Sequence, residues 1–559
     1  MRRVLTASDR ALLVEEKDLD ATMRLHAALA AAGLAGVTEL VPAARTVLVR
    51  FDPLRTTASA LRRALEAIPL AERDPAAASD VVIGVRYGGE DLADVAADLG
   101  VTAEELVARH AAATWRVAFT GFAPGFGYLV GDDPLFDVPR RASPRTSVPP
   151  GSVALAGPYS GVYPRASPGG WRLIGRTDAV LWDLERDPPA LLVPGAVVRF
   201  ADVARPAGSQ GDRLRRGAGL PATPSRASQS VRPPAAREPL DMPGDRGTRY
   251  AVEVVSPGLR LLVQDLGRPG AAHLGVSASG AADRAALRAA NRAVGNGPGA
   301  PAFELLGGGA VLRFRGGGVA AIRGAAADAT VRHRDGAETP VANGGPIAVD
   351  DGDELTIGYA SRGVRAVVAI RGGLALTPAL GSLATDTLGD IGSREIGGRA
   401  LRPGDVVPLH GPSSVSGAVV PFEPPALPLP APGGLVTLRI TLGPRDDWFA
   451  DEAVRLLLVQ EWEVTPRSDR VGIRLRGAAP LERAVGGELP SEGTVTGSLQ
   501  VPPRGQPVLF LPDRPVTGGY PVIGAVVDAD LDLAGQLAPG MRVRFRTDGD
   551  AGPDVGAPS

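Results

Sequence analysis

A three-block pattern occurs twice in this chain, once near residue 150 and once near residue 500. The first copy comprises Val148-Pro149-Pro150, the heptapeptide from Gly169 to Gly175, and Pro194-Gly195 followed by Val198-Arg199-Phe200. The second comprises Val501-Pro502-Pro503, the heptapeptide from Gly518 to Gly524, and Pro539-Gly540 followed by Val543-Arg544-Phe545. The spacings between blocks differ by only four residues, which a surface loop absorbs at little cost. The repeat therefore predicts two related modules in one polypeptide.

The composition indicates a globular chain of several domains. With 559 residues and 44% hydrophobic content it can bury a large core, yet no apolar run is long enough to cross a membrane. The formal net charge of -2 predicts no attraction to nucleic acid or to acidic lipid. Because there is no cysteine, disulfides and thiolate zinc sites are excluded. No secretory signal is evident, so we expect a cytoplasmic protein with neither a nucleic-acid nor a membrane partner.

Lysine is almost absent from the sequence, since Lys17 is the only one. It lies in an acidic stretch, directly after Glu15 and Glu16. This excludes a Walker A lysine, a Schiff-base lysine, a serine–lysine amidase centre and a biotin-carrying lysine. Substrate activation by this chain must therefore depend on arginine, backbone amides, carboxylates or hydroxyls.

The first 88 residues alternate predicted strands and helices in the order βαββαβ. This order is typical of a small ferredoxin-like α+β domain, which we place at 1–88. The predicted strands are 11–15, 37–41, 47–51 and 81–86, and the predicted helices are 19–32 and 58–68.

The rest of the chain is predicted to consist mostly of β-strands. Short β-type runs alternate with glycine and proline, which favours barrels or sandwiches over helical bundles. A helix that opens with the capping-box pattern of Thr102 and Glu105 is predicted to run through His110, and another helix is predicted at 281–294, where Gly295 ends it. We predict a mainly β fold, with domains at 89–202 (β-barrel), 203–247 (flexible linker), 248–420 and 421–546 (two β-barrel subdomains) and 547–559 (disordered tail).

The first half carries three motifs in order: the stretch from Gly121 to Phe126, Pro144-Arg145, and the stretch from Ser167 to Thr177. Together they resemble the B subunit of bacterial ATP-dependent 5-oxoprolinase. The same family has been called allophanate hydrolase subunit 1 and, in a regulatory setting, a histidine-kinase inhibitor.

The second half resembles the C subunit of that enzyme, also called allophanate hydrolase subunit 2. The matching stretches are 264–270, 279–283, 290–292, 294–296, 371–373, 468–470, 513–514 and 517–521. The resemblance covers nearly everything except the linker and the tail. It implies cyclophilin-like β-barrel domains in both halves, and two accessory subunits fused in one chain.

The family's reaction is the conversion of 5-oxo-L-proline, ATP and water to L-glutamate, ADP and phosphate. The resemblance therefore implies an ATP-dependent amidohydrolase with ATP and Mg²⁺ as cofactors. It also implies a separate partner that resembles the enzyme's A subunit, so this chain alone is expected to be incomplete. An unstrained lactam is a stable amide, and ATP coupling can turn its carbonyl oxygen into a phosphorylated leaving group. The pocket must then bind a carboxylate and stabilise phosphoryl charge.

Arginine side chains and glycine-loop amides can bind the substrate carboxylate and stabilise phosphoryl charge. A carboxylate side chain can act as the base or position Mg²⁺. The candidate catalytic residues are Asp265, Arg268, Asp513 and Arg514. Candidate substrate- or ATP-binding residues are Arg145, Gly169, Gly170, Trp171, Arg176, Gln264, Asn291, Thr517, Gly518, Gly519 and Tyr520. We predict no metal site built from the protein's own side chains.

Several of these residues also have a structural explanation. The two Gly-Gly-aromatic loops could be tight turns, with Trp171 and Tyr520 packed as lids on a core. Asp265 and Arg268 could form a structural ion pair, and Asn291 could tie down a neighbouring loop. His110 could be either a helix-terminal group or an acid–base residue.

Two other functions stay open. One is a regulatory pair, with the first half inhibiting a sensor histidine kinase and the second half as its antagonist. The other is the carboxyltransferase part of a biotin-dependent urea carboxylase, which would need its biotin carrier on another chain. A homo-oligomer is compatible with each of them.

Overall fold

The computed structural model describes residues 2–72, 79–141, 143, 145–204, 249–341, 344–422 and 428–547. The predicted linker and tail lie almost wholly outside these residues. The chain divides into two compact units. The larger comprises Met1–Ala71, Pro239–Ala272 and Val276–Ser559, and the smaller comprises Glu72–Glu238 and His273–Gly275. None of the described helices combines the length and apolarity needed to cross a membrane.

The N-terminal part of the larger unit is a four-stranded antiparallel sheet covered by two helices. Its elements are β1 (Arg3–Ser8), β2 (Ala11–Glu15), α1 (Leu19–Ala32), β3 (Val37–Pro42), β4 (Thr46–Phe51) and α2 (Ala58–Ala67). The sheet order is β1-β2-β4-β3. Asp18 caps α1 by accepting a hydrogen bond from Ala21 N, and Gly33 ends the helix at φ +52°.

The predicted ferredoxin-like domain at 1–88 is not confirmed. A strand does form at the predicted position 81–86, but it belongs to a barrel in the smaller unit. Its expected place beside β2 is taken by β1, which we did not predict. An alternating apolar pattern indicates a strand but carries no information about which strand pairs with it.

The smaller unit contains a closed seven-stranded barrel. Its elements are β5 (Asp80–Tyr87), α3 (Leu92–Asp98), α4 (Ala103–Ala112), β6 (Trp115–Thr120), β7 (Gly127–Gly131), β8 (Arg145–Val148), β9 (Ser152–Ala156), β10 (Tyr159–Val162), β11 (Ser167–Gly169), β12 (Arg172–Arg176) and β13 (Val197–Asp202). The barrel order is β5-β12-β9-β10-β7-β6-β13, and β8 pairs with β11 beside it. We call this the first barrel.

The middle of the larger unit consists of two open sheets around one core. Its elements are β14 (Ala251–Pro257), β15 (Arg260–Gln264), α5 (Arg284–Ala293), β16 (Ala302–Leu306), β17 (Gly308–Arg315), β18 (Gly318–Ala326), β19 (Ala329–Arg332), β20 (Glu338–Pro340), β21 (Pro346–Val349), β22 (Glu354–Tyr359), β23 (Arg362–Ile370) and β24 (Val406–Pro408). The sheet orders are β20-β19-β22-β17-β14-β24 and β15-β16-β23-β18-β21. The barrel expected at 248–420 is therefore replaced, in the described residues, by two sheets that do not close.

A second closed barrel completes the larger unit. Its elements are β25 (Leu435–Leu442), α6 (Asp451–Val459), β26 (Trp462–Val464), β27 (Gly472–Arg476), β28 (Glu492–Gly493), β29 (Ser498–Gln500), β30 (Val508–Phe510), β31 (Thr517–Gly518), β32 (Val522–Val526), α7 (Leu531–Ala534) and β33 (Arg542–Thr547). The order is β25-β32-β29-β30-β27-β26-β33, which is the order of the first barrel strand for strand. In both barrels the first and last strands pair in parallel. The prediction of a mainly β fold with barrels in both halves is confirmed.

Two of the three sequence blocks occupy equivalent places in the two barrels. The Gly-Gly-aromatic block leads from β11 into β12 in one barrel and from β31 into β32 in the other. The Val-Arg-Phe block lies in the last strand of each barrel. The Val-Pro-Pro blocks are not equivalent, because the first joins β8 to β9 and the second joins β29 to β30. Their agreement in sequence is therefore not part of the structural repeat.

Candidate functional site

A cluster of buried polar side chains lies in the larger unit. Gln264 ends β15, Arg268 follows it in the next turn, and Asp513 and Arg514 follow β30. A fifth member, Asp386, lies between β23 and β24. Each of these side chains is at most 4% exposed. Because burial of unpaired polar groups is costly, their partners decide what the cluster can do.

Arg268 has donors that the protein does not use. One Nη donates to the carbonyl of Ala384, while Nε and the other Nη are buried and have no hydrogen-bond partner among the described residues. Burial lowers the pKa of Arg268, although the charges of Asp386, Asp265 and Asp513 oppose this. The Arg268 guanidinium therefore has two donors without a partner among the described residues, and three aspartates surround it with negative charge.

Gln264 lies against the same backbone segment as Arg268. Its Nε2 donates to Thr385 O at 2.9 Å, and its Oε1 is buried without a donor among the described residues. Gln264 thus binds the backbone segment at residues 384–385, which Arg268 also contacts, and leaves one acceptor unused.

Arg514 is the second arginine with an unused donor. Its Nη1 makes a long contact of 3.4 Å with Pro515 O, and its Nε is buried without a partner in the part of the chain that the structure describes. Burial and then the charge of Arg50 lower the pKa of Arg514, Glu39 and Asp386 act in the other direction, and the net result is a pKa of about 10. An anion bound here would reverse that shift.

Asp386 is the carboxylate whose charge acts on both arginines, since it opposes the lowering of the pKa of Arg268 and of Arg514. It was not among the residues predicted from the sequence. Burial and then the charge of Asp513 raise the pKa of Asp386 to about 7, while Arg268 acts in the other direction. Its oxygens accept from Leu388 N at 3.0 Å, Gly389 N at 2.7 Å and Ser277 Oγ at 3.1 Å.

Asp513 and Asp265 are already saturated by the protein. Asp513 accepts from Arg470 Nε at 3.0 Å, Arg470 Nη2 at 3.1 Å, Ser279 Oγ at 2.6 Å, Thr387 N at 2.9 Å and Thr387 Oγ1 at 2.8 Å. Asp265 accepts from Ser382 Oγ at 2.7 Å, Leu383 N at 2.8 Å and Gly267 N at 2.7 Å. This geometry favours a structural role for both carboxylates over the role of base or Mg²⁺ ligand. The Asp265–Arg268 ion pair, considered above as the structural alternative, is not formed as a direct contact in the described residues.

Asn291 and the second Gly-Gly loop lie elsewhere in the larger unit. Asn291 is fully buried and donates to Ala300 O at 2.7 Å, so it ties down a loop. Thr517 and Gly518 form the short strand β31, which pairs with β28. Tyr520 is 36% exposed, beside a small pocket that is also lined by Ala7, Thr494 and Ser498. Gly519 follows Gly518 in this loop.

The candidates of the first half lie in the smaller unit. Arg145 is paired with Asp91 at 2.9 Å, and Gly169 faces it across the β8–β11 pair. Gly170 O accepts from Arg141 N at 2.9 Å. Trp171 is buried against Phe126, with ring centroids 5.2 Å apart.

Arg176, at the end of β12, is exposed, and its side chain makes no hydrogen bond or ion pair with the described residues. The structure therefore brings Arg145, Gly169, Gly170 and Trp171 together in one loop region and leaves Arg176 outside it. Arg141 and Asp91 were missed because they are far from the Gly-Gly motif in sequence. Arg141 precedes the Pro144-Arg145 motif by three residues, which was the available signal.

Comparisons with known proteins agree with this architecture. Residues 2–192 match the family described as carboxyltransferase domain, subdomain C and D, and residues 274–547 match carboxyltransferase domain, subdomain A and B. The chain is 33% identical over 294 residues to the 5-oxoprolinase C subunit of Escherichia coli K12, covering 53% of this chain and 90% of that protein. It is 51% identical over 113 residues to the 5-oxoprolinase B subunit of Escherichia coli O157:H7, covering 20% of this chain and 52% of that protein.

The chain is also similar to a larger enzyme. It is 36% identical over 313 residues to urea amidolyase of Lachancea kluyveri, covering 53% of this chain but only 17% of that protein. Among solved structures, TTHA0988 superposes with a TM-score of 0.77 at 34% identity, covering 96% of this chain and 99% of that one. The chain therefore belongs to the carboxyltransferase-domain family that includes the B and C subunits of 5-oxoprolinase, and it carries the counterparts of both in one polypeptide.

Proposed function

We propose that this chain is the accessory component of an ATP-dependent 5-oxoprolinase, with the B and C subunits fused, and that it acts with a separate protein similar to the A subunit. The observation that carries the proposal is the order of the two matches. A region like the B subunit is followed by a region like the C subunit, which are separate proteins in Escherichia coli. Fusion keeps two proteins in equal amounts, which suits components of one enzyme better than opposing regulators.

In this proposal the chain's role is to hold the carboxylate of 5-oxoproline. Arg268 and Arg514 carry buried donors that have no partner among the described residues. A carboxylate accepts two such donors at once, and guanidinium groups match its geometry. The Oε1 of Gln264, which has no partner among the described residues, would accept from the lactam N–H, because Gln264 binds the same backbone segment as Arg268.

Asp265 and Asp513, the two carboxylates predicted from the sequence to position Mg²⁺, are not available to bind it. The carboxylate oxygens of Asp265 and Asp513 accept hydrogen bonds from other groups of the protein. No group of three or more acidic or histidine side chains in the described residues is placed to hold a metal ion. We therefore assign no phosphoryl-transfer step to Asp265 or Asp513.

The proposal is tested by reconstitution. The purified chain is mixed with a protein similar to the A subunit, 5-oxo-L-proline and Mg-ATP, and glutamate is measured by chromatography. Glutamate should form in the mixture and not with either protein alone. Its absence from the mixture, with both proteins folded and associated, would reject the function.

The carboxylate site is tested separately by replacing each arginine. Arg268→Met and Arg514→Met should raise KM for 5-oxoproline by at least about tenfold, because a charge-assisted hydrogen bond contributes roughly 1.5–3 kcal/mol. Arg474→Met, at an exposed position of β27, is the matched control and should leave KM unchanged. An unchanged KM in both buried variants would make the two arginines structural.

Urea carboxylation is the second candidate, because the chain is also similar to urea amidolyase. That reaction needs biotin, and Lys17 lies in no biotin-carrying setting. The biotin carrier must therefore come from another chain, and the test mixes the purified chain with a biotin carboxylase, a biotin carrier, urea, bicarbonate and ATP. If the chain is a 5-oxoprolinase component, no urea-dependent turnover is expected. Turnover there and none with 5-oxoproline would favour this second function.

A further inference from the structure

The two barrels carry a buried ion pair at the same place, but with opposite polarity. In the first barrel, Arg145 lies opposite Gly169 in the side pair of strands. In the second barrel, Glu492 lies opposite Gly518, the equivalent glycine. Each residue binds an opposite charge that follows the first strand of its barrel. Arg145 binds Asp91 after β5, and Glu492 binds Arg445 after β25.

The second barrel satisfies this position completely. Arg445 donates to Glu492 and also to Glu15 at 3.2 Å, and within the described residues none of these side chains has a buried polar atom without a partner. A carboxylate at the equivalent of Arg145 also repels anions. The Arg445–Glu492 ion pair of the second barrel therefore has a structural role.

The first barrel leaves four donors unused in and beside the β8–β11 pair. They are buried and have no hydrogen-bond partner among the described residues: Nε of Arg141, Nη1 of Arg145, Nη1 of Arg165 and Oγ of Ser167. A burial of this kind costs about 1–3 kcal/mol for each group that stays unsatisfied. Such a concentration is unexpected in a folded protein unless something else satisfies the groups.

The four side chains lie on or next to the β8–β11 pair of the smaller unit. Arg141 and Arg145 both bind Asp91, at 2.6 Å and 2.9 Å. Ser167 lies on β11, which pairs with the strand that begins at Arg145, and Arg165 is two residues before Ser167. In the described part of the chain, the only acidic groups paired with these side chains are the buried Asp91 and the exposed Glu90.

Asp91 is itself fully occupied. It accepts from both arginines and from Leu173 N at 2.7 Å. Burial acts to raise the pKa of Asp91, but these hydrogen bonds and the two positive charges outweigh it and lower that pKa. Asp91 thus stays ionised, and together with Glu90 it compensates two of the three arginines, so the region keeps one net positive charge.

We propose that this region is a second anion site, built to bind a phosphate-type oxyanion between Arg141, Arg145, Arg165 and Ser167. Three of the four side chains are guanidinium groups, and the fourth is a hydroxyl that can donate. A carboxylate offers two oxygens, whereas a phosphate group offers three and more negative charge. Four donors on four side chains therefore match a phosphate group better.

The site is tested by titrating the purified chain with inorganic phosphate at constant ionic strength, using isothermal titration calorimetry. Arg165→Met removes one donor without breaking the Asp91 pair, and it should weaken phosphate binding about tenfold or more. Ser167→Ala should weaken it several-fold, and acetate should bind more weakly than phosphate. Arg116→Met, on the exposed face of β6, is the matched control and should bind phosphate as the parent does.

The inference does not depend on the proposed function, because the probe is phosphate alone and no partner protein is present. Circular dichroism and melting curves establish that each variant is folded. The proposal fails if the parent binds no phosphate, or if folded Arg165→Met and Ser167→Ala both bind it as the parent does. It also fails if Arg268→Met abolishes phosphate binding while Arg165→Met preserves it, since the anion would then sit in the larger unit.

Discussion

His110 lies inside the first barrel with no exposed surface. Its Nδ1 is 2.8 Å from Tyr87 Oη and its Nε2 is 3.0 Å from Ser160 Oγ, while its ring stacks on Phe200 at 4.6 Å. Both polar partners are neutral, so neither compensates a charge on the imidazole. Burial therefore lowers the pKa of His110 to about 3. This residue is a structural group and not the helix-terminal cation that its position in α4 suggested.

The pH dependence of stability follows from that shift. The unfolded chain binds a proton at His110 near pH 6.5, whereas the folded chain does not until about pH 3. The stability associated with His110 is therefore present above pH 6.5 and is lost as the pH falls. By pH 5 this loss is about 2 kcal/mol, and His110→Gln should remove that part of the slope in urea denaturation between pH 7.5 and 5.

His410 is exposed, so His410→Gln is the matched control and should leave the slope unchanged. A parent and a His110→Gln variant with the same pH dependence would mean that another group titrates in this range.

The sequence predicted individual residues of the candidate site better than it predicted the contacts between them. The Gln264 to Gly270 motif contains two of the buried side chains with unused atoms, and Arg514 was also selected. Asp386 was missed, because it lies in no charged motif and becomes notable only through its burial. The role of Asp513 was also hidden, because its partner Arg470 is 43 residues away in sequence.

At the scale of elements, side-chain caps explain where α1, α2, α4 and α5 begin. The helix predicted at 281–294 begins at Arg284 in the structure, because Asp283 is its N-cap. Asp283 Oδ1 accepts from Ala286 N at 2.7 Å, and Oδ2 accepts from Gln536 Nε2 at 2.7 Å. The apolar pattern extends past the cap, and only the cap fixes the first turn.

Removing this cap should destabilise the larger unit. Asp283→Ala loses the hydrogen bond to Ala286 and leaves Gln536 with one partner fewer, so we expect a loss of about 1–2 kcal/mol in the free energy of unfolding. Asp283→Ser should retain most of the capping contribution. Arg288→Ala, on the same helix, should change little because arginine and alanine have similar helix propensities. Equal stabilities for all three variants would show that packing alone holds the helix.

Strand partners were less predictable than strand positions. The strand β5 was predicted close to its observed bounds, yet it pairs in parallel with β13, more than 100 residues later. The helices α1 and α2 were predicted almost to the residue, because their caps and periodicity are local signals. Pairing depends on contacts between distant segments, which a single sequence does not encode in any short window.

On the scale of the whole chain, the N-terminal sheet belongs with the second barrel in the larger unit. Arg445 joins them, since it pairs with Glu492 of the barrel and with Glu15 of β2. Leu48 of β4 also lies against Gly493, where an added Cβ would approach the leucine Cβ to 2.7 Å. Residues separated by more than 400 positions thus form one interface, and no repeat or motif in the sequence indicated it.

A buried ionic network joins the middle sheets to the second barrel within the same unit. Arg470 is 1% exposed and pairs with both Asp513 and Glu304, and its Nη2 also donates to Gly280 O at 2.5 Å. Burial acts to lower the pKa of Arg470, but the charges of Asp513 and Glu304 outweigh it and raise that pKa. The arginine is therefore permanently charged and bridges two buried carboxylates, and Arg365, 3.8 Å from Glu304, supplies the second positive charge.

Arg470→Met should be strongly destabilising, because it removes the ion-pair partner of buried Asp513 and leaves Glu304 with only the longer 3.8 Å contact to Arg365. We expect a loss of about 3–5 kcal/mol in the free energy of unfolding, measured by urea denaturation at pH 7. The triple variant Arg470→Met, Glu304→Gln, Asp513→Asn should recover part of the loss, because it removes the unpaired charges together with the arginine. Arg474→Met, four residues away and exposed, supplies the baseline. If Arg470→Met were as stable as that baseline, water would have to reach the two carboxylates, and the network would not hold the sheets and the barrel together.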